Sequence, residues 1–458
     1  MNRFPNAVAK SAFTISEPIV KTRTKTPGNH VILGSENSEG EERNFVYLGK
    51  VVENTTGKNY LGSDTWLDLS FPHVIYITGT RGSGKSFDLG VLLEGISGLH
   101  SPSPIQHNVT PACSILIDTQ SQFWSLAYPP STNIPEHRKQ IAELQRWNIE
   151  PNALSNIRLY IPHGAQRITG DEVEFRLRPN QLTLEDWCTL VGQEIYSAQG
   201  HILGVTLEHL GDDNFSIQSM LDFINNDNNW PNTPEQSRHS LLYKLDNYRR
   251  SGLFGADGLD IDDLLNAGQC NVFMLRDLNN QDKSLVTAII ARQLFLRMGR
   301  HNQQRRANAF FGRDENERDY PSRVWLMIDE AHVVAPSNAP SPARGALVEY
   351  VKRGRDCGLS LVLATQQPSA VDDQILSQVN LSLSHRLTFG MDIASAQSRI
   401  PTKTVNTVKL SGSDVKEFGD VIRLLGPGQA FIGDSHTSRV LLVQIRPRVT
   451  SHGGYSPA

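Results

Sequence analysis

No stretch of the 458-residue sequence is a long apolar run. A membrane-spanning helix needs about 20 consecutive apolar residues, so no membrane partner is expected. The opening MNRFPNAVAKSAF lacks the apolar segment of a secretory signal, and a cytoplasmic location is expected. Cysteine is scarce: Cys113, Cys188, Cys270 and Cys357 are the four, and no two stand in CxxC spacing. That argues against a zinc site or a redox dithiol and favours reduced, buried thiols. Excess positive charge is also missing, since the net charge is −4. A histone-like nucleic-acid coat is thereby disfavoured. A ring that lines only its channel with Lys and Arg stays compatible with that balance. Internal repeats and coiled-coil heptads are absent too.

What is present is an ordinary globular composition, 38% hydrophobic, in a chain long enough for two or three domains at roughly 150 residues each. Residues 1–27 are polar, with Lys21, Arg23 and Lys25 close together, and read as a flexible arm. Residues 28–72 hold short β-type runs, HVILGS, NFVYLGKVV and TWLDLS, separated by Gly, Asn, Ser and Glu clusters, as in a small β-rich domain. An α/β core opens at 73 and runs to 179. Residues 180–269 turn helical and read as an insertion. The core resumes at 270 and continues to 458, ending in the β-like runs QAFIGD and RVLLVQI.

The run HVIYIT leads directly into Gly79-Thr80-Arg81-Gly82-Ser83-Gly84-Lys85-Ser86, followed by the apolar helix SFDLGVLLEGI. This is the G-x-x-x-x-G-K-[ST] phosphate loop in its strand–loop–helix setting, which a chance glycine turn would not share. Glycines permit backbone conformations in which successive N–H groups turn inward onto phosphates. The helix that follows points its positive end at them. Lys85 is assigned to the β- and γ-phosphates of ATP, and Ser86 to Mg2+, with Phe87 beside them.

The buried strand VWLMI ends in Asp329-Glu330. A carboxylate at a strand tip beside such a loop can hold the magnesium shell, here Asp329. Glu330 can polarise the attacking water. The letters Asp329-Glu330-Ala331-His332 spell DEAH, but the other motifs of superfamily 2 helicases are missing. LSLVLAT ends at Thr365 and is followed by Gln366, a polar group placed to sense the γ-phosphate, with Thr365 beside it. Upstream, Lys352-Arg353-Gly354-Arg355 offers an arginine finger, which across a subunit boundary is worth about 10³–10⁵ in rate. Arg355 is the first candidate and Arg386 the second.

PHVIYITGTRGSGKSFDLGVLLEGI, RVWLMIDEAH and VKRGRDCGLSLVLATQQPS…ILSQVNLSLSHRL, with the closing IRPRVTSHGG, resemble the HerA branch of the HerA/FtsK ATPases from about residue 45 onward. The resemblance implies an α/β fold: a RecA-like P-loop NTPase core with a helical insertion and a small N-terminal β-barrel-like element. It implies a homo-hexameric ring that hydrolyses ATP to pump double-stranded DNA. It also implies a partner encoded nearby, a nuclease of the NurA type or an NAD-cleaving effector, in DNA end processing or antiviral defence. By motif, Lys85 and Ser86 bind nucleotide and magnesium, Asp329 and Glu330 form the Walker B pair, Gln366 is the sensor and Arg355 a finger. The chain departs from the family in three ways. Its β-rich N-terminal region is shorter than the usual barrel, Gln122 stands where many relatives are acidic, and no winged-helix tail follows.

Two functions of different class fit these features. One is a DNA translocase, with basic channel candidates in Lys352-Arg353 and among Arg305, Arg306 and Arg313. The other is an ATP-gated ring scaffold that activates an effector in trans, since the chain carries no nuclease motif of its own. A secretion-type motor, which shares the core, is disfavoured by the missing membrane anchor.

Overall fold

A computed structural model describes residues 30–34, 44–55, 58–107, 112–211, 214–231, 233–313, 320–400, 407–409 and 415–453. The arm expected at 1–27 lies outside the described residues. Strands β1 (His30–Leu33), β2 (Phe45–Thr55) and β3 (Lys58–Asp68) come first. β4 (Val74–Thr78) enters the glycine loop and α1 (Lys85–Ile96) leaves it. The short β5 (Gln106–His107) precedes β6 (Cys113–Asp118), α2 (His137–Arg146), β7 (Ile157–Pro162) and β8 (Val173–Phe175). The helical stretch is α3 (Leu184–Leu190), α4 (Ala198–Leu210), α5 (Ile217–Asn225) and α6 (Glu235–Ser251). β9 (Cys270–Met274) returns to the sheet and is followed by the long α7 (Asn280–Phe311). Next come β10 (Val324–Ile328), α8 (Ala331–Val334), α9 (Pro342–Arg353), β11 (Leu359–Thr365), α10 (Asp373–Leu376) and β12 (Leu381–Ser384). The chain closes with α11 (Gly390–Ser398), β13 (Thr407–Lys409), β14 (Val415–Glu417), α12 (Phe418–Arg423), β15 (Gln429–Asp434) and β16 (Arg439–Ile445).

Fourteen strands form one sheet in the order β1-β3-β2-β16-β15-β12-β4-β11-β10-β6-β9-β7-β8, with β5 paired to β2. From β12 to β8 every neighbouring pair is parallel. Such strands are buried on both faces and therefore read as unbroken apolar runs such as VWLMI and LSLVLAT. Alternate residues serve opposite faces. Ile75, Ile77, Trp325 and Met327 pack with the buried side of α1, in a cluster that also takes in β15 and β16. Tyr76, Leu326 and Ile328 pack on the other face with α7, α9 and the helical stretch α3–α6. The strands β1–β3 of the β-rich region join this same sheet. β2 pairs antiparallel with β16, and β16 with β15, so β1–β3 continue the core sheet outward through the C-terminal hairpin. Among the described residues no helix is long and apolar enough to cross a membrane.

Because β4, β11, β10 and β6 are parallel and in register, their C-terminal tips align. Thr78 pairs with Thr365, and Ile328 with both Leu363 and Ile117. Open α/β sheets bind ligands at this edge.

Candidate active site at the strand tips

The loop after β4 is held by its neighbours. The Gly79 amide donates to the Thr365 carbonyl at 3.3 Å and the Thr80 amide to the Arg386 carbonyl at 2.9 Å. Gly82 and Gly84 take φ of 74° and 131°, values that side chains other than glycine rarely adopt. A Cβ on Gly79 would lie 2.3 Å from Ser83 Oγ and 2.8 Å from His385 Cβ, so a side chain here would force its neighbours to shift. Ser83 Oγ and Lys85 Nζ both donate to the Thr80 carbonyl, at 2.7 and 3.0 Å. Arg81 and Gly82 are exposed, Ser86 and Phe87 half-buried, and Lys85 buried. No side chain caps the start of α1. Its first N–H groups and the positive end of its dipole are thus available to an anion.

Across β11 stands the acidic half. Asp329 directly follows β10, buried, and its Oδ1 has no hydrogen-bond partner. Burial, then Glu330 and Asp118, push its pKa well above the carboxylate range, with Lys85 opposing. Lys85 is itself lowered by burial, against the pull of Glu330, Asp329 and Asp88. Glu330 caps α8 at φ 55°, a left-handed conformation uncommon for this residue. Its Oε2 accepts from the Gln366 amide nitrogen at 3.2 Å, and its Oε1 accepts from the Gln366 side chain. His332 Nδ1 lies 3.4 Å from Glu330 Oε2 and 3.0 Å from Thr365 Oγ1.

The structure therefore brings Lys85, Asp329, Glu330 and Gln366 to one edge. Arg386 is exposed at this same edge, its carbonyl bound to the loop. Arg355 is not here. It sits exposed in the turn before β11, at the opposite edge of the sheet, beside Asp356, whose carbonyl accepts from Arg306 at 3.1 Å. Gln122 lies in the bend after β6, and its carbonyl closes on Gly453.

Three site residues escape a reading of the motifs. Asp118, fully buried at the tip of β6, has its carboxyl pushed up to about 6 by burial, against amide hydrogen bonds from Phe123 and Gln120. Its signal is that SILID ends as VWLMID does, in an apolar run and an aspartate. His332 follows the acidic pair and carries no spacing signal of its own. His385 packs under the loop from a distant part of the chain, beyond any local pattern.

Lys85 thus faces Glu330, Asp329 and Asp88, while Asp118 stands beside Asp329 and is shared with Lys283, and Asp329 Oδ1 is unpartnered. This is a hard oxygen-donor environment short of positive charge, which fits a divalent cation such as Mg2+. Asp329 and the Ser86 hydroxyl are the groups that could hold it. The uncapped helix and the glycine loop fit a polyphosphate.

The comparisons agree with this geometry. The helicase HerA central-domain family matches residues 46–294, more than half of the chain. The DNA double-strand break repair helicase HerA of Pyrococcus furiosus is 28% identical over 134 residues, covering 29% of this chain and 22% of that protein. The protein of the same name from Sulfurisphaera tokodaii is 24% identical over 149 residues, covering 32% of this chain and 28% of the relative. The matched stretches thus span less than a third of these relatives. The solved structure of VirB4 from Thermoanaerobacter pseudethanolicus superposes with a TM-score of 0.50 at 16% identity, over 90% of this chain and 98% of that one, and shares the fold. With the phosphate loop and the acidic strand tip flanking one central strand, and a family match running through the first of them, the chain belongs to the helicase HerA family of P-loop ATPases.

Proposed function

We propose that the chain is an ATP-driven motor that moves double-stranded DNA as a homo-hexameric ring and serves a partner nuclease or NAD-cleaving effector, in antiphage defence or DNA end processing. The observation that carries this reading is the meeting of Lys85 with Asp329 and Glu330 across β11. The loop amides, Lys85 and the start of α1 bind the triphosphate. Bound Mg2+, on Ser86 and Asp329, would neutralise charge shared by the β- and γ-phosphates. Glu330 accepts a proton from the attacking water and orients it. Gln366 bonds both Glu330 oxygens, so a γ-phosphate drawing Gln366 away would release that carboxylate for the water.

A ring closes by joining two different faces of neighbouring copies. A trans-acting finger therefore belongs on the face away from its own loop, which is where Arg355 stands. Arg386, bound to its own loop, fits a role in cis. Lys352, Arg353, Arg305, Arg306 and Arg313 are exposed and supply positive charge for a DNA backbone. The names of the archaeal relatives, which specify DNA break repair, support DNA as the substrate.

The test is ATP hydrolysis with and without duplex DNA across a salt series, with the mass of the assembly measured alongside in an ATP analogue. Hydrolysis stimulated by duplex DNA, weakening steeply with salt and independent of sequence, is expected. Turnover indifferent to DNA but changed by the neighbouring gene product would replace the translocase with the ATP-gated scaffold. Full turnover by a single subunit would remove the ring.

A further inference from the structure

Under the phosphate loop lies a buried pair that the ATPase reading leaves unused. His385, at the end of β12, is fully buried, and Asp88, in the first turn of α1, is 1% exposed. His385 Nε2 is 2.7 Å from Asp88 Oδ2, and its Nδ1 is 2.9 Å from the Gln429 carbonyl oxygen. A carbonyl only accepts, so Nδ1 carries a hydrogen and donates it. One further proton then lies between Nε2 and the Asp88 carboxylate, leaving a pair with no net charge.

This ring is also a floor. A Cβ on Gly79 would lie 2.8 Å from His385 Cβ, and one on Gly84 would lie 3.0 Å from His385 Cε1. The backbone on either side grips the same loop. The His385 amide donates to Thr78 at 2.8 Å, the Arg386 carbonyl accepts from Thr80 at 2.9 Å, and the Gly428 amide donates to Ser83 at 3.2 Å. The loop is thus pressed between its own helix and two strands from the far end of the sequence, and the imidazole spans all three.

We infer that His385 is a positioning residue: by tying Asp88 of α1 to β12 and β15, it sets the curvature in which the loop amides converge on phosphate. This rests on the nucleotide-binding reading of the loop. A preorganised amide cradle grips ground state and transition state alike, so its loss raises KM and Kd more than it lowers kcat.

Two substitutions separate the two arms of the ring. His385→Gln places an amide donor near the Nε2 position, toward Asp88. His385→Asn places one near Nδ1, toward Gln429, and gives up Asp88. Affinity for ADP and for a non-hydrolysable ATP analogue is measured by calorimetry, beside the melting temperature. H385N is expected to bind about tenfold more weakly with kcat at saturation little changed, and H385Q to stay within about threefold of the parent. D88A, which removes the same contact from the helix, is expected to match H385N. Parental affinity in folded H385N or D88A, or equal losses in H385N and H385Q, would overturn the inference. If the parent itself fails to bind nucleotide, or binds no better than K85A, the nucleotide reading falls instead.

Discussion

Two corners of this molecule bury several charges each, and they are built in opposite ways. Behind α1, Glu94 is fully buried with Arg446 and Arg448 of the C-terminal segment. Its Oε2 takes Arg446 Nη1 at 2.7 Å, and its Oε1 takes the Thr450 amide and hydroxyl at 2.9 and 2.7 Å. Arg446 also donates to the Tyr47, Val91 and Pro447 carbonyls, at 2.8, 3.1 and 3.0 Å. Every oxygen of Glu94 has a partner within the chain. At the strand tips the reverse holds: carboxylates outnumber cations, and Asp329 Oδ1 is left without a partner. A complete charge network holds a fold together, whereas an incomplete one is a place for something to bind.

The sharpest way to break the contrast is Glu94→Ala. Two buried arginines would lose their carboxylate, and unfolding free energy should fall by about 3–5 kcal/mol, read from denaturant or thermal unfolding. An unmoved midpoint would show the corner to be dispensable. On the open side, Glu330→Gln should cut hydrolysis about 10²–10⁴-fold while nucleotide stays bound and the melting temperature does not fall. Parental turnover in E330Q would take Glu330 out of the chemistry.

A third buried ionisable group calibrates both corners. His73 is neutral, with Nε2 donating to the Asp68 carbonyl at 2.7 Å and Nδ1 accepting from Asn380 at 3.2 Å. Burial lowers its pKa to about 4. The unfolded chain takes up this proton near pH 6.5 and the folded chain only near 4, so stability is full above that window and declines as pH falls through it. The decline attributable to His73 is about 3 kcal/mol, and His73→Gln should flatten the acid limb of a pH–stability curve. The smallest effect sharpens the comparison most. Asp329→Asn removes a crowded, buried charge and should raise the stability of the nucleotide-free chain by about 1 kcal/mol while abolishing hydrolysis. Destabilisation on that substitution would mean that the acidic corner is structural after all.

The fold class is legible because its signals are local: apolar runs of strand length, a glycine loop between strand and helix, and helical spacing from about 180 onward. The site is legible as far as it sits at the tips of those runs, which is why Lys85, Asp329, Glu330 and Gln366 can be placed together from sequence. Residues tied by long-range pairing are not legible. His385 and Asp88 are 297 positions apart, and Arg446 and Glu94 are 352 apart. Nor does any local pattern show that β2 leans on β16. Periodicity identifies a strand, but its neighbour depends on closing a loop through the whole domain.

That last pairing has a consequence for biogenesis. Val51 of β2 meets Val443 of β16, and the latter is synthesised 392 residues later. At ordinary elongation rates the interval is roughly 20–80 s, during which one flank of the N-terminal ribbon stays open to stray strand addition. Maturation is therefore expected to end with the hairpin β15–β16 inserting between two preformed halves, stitching the first-made strands to the phosphate-binding core as the final act of folding.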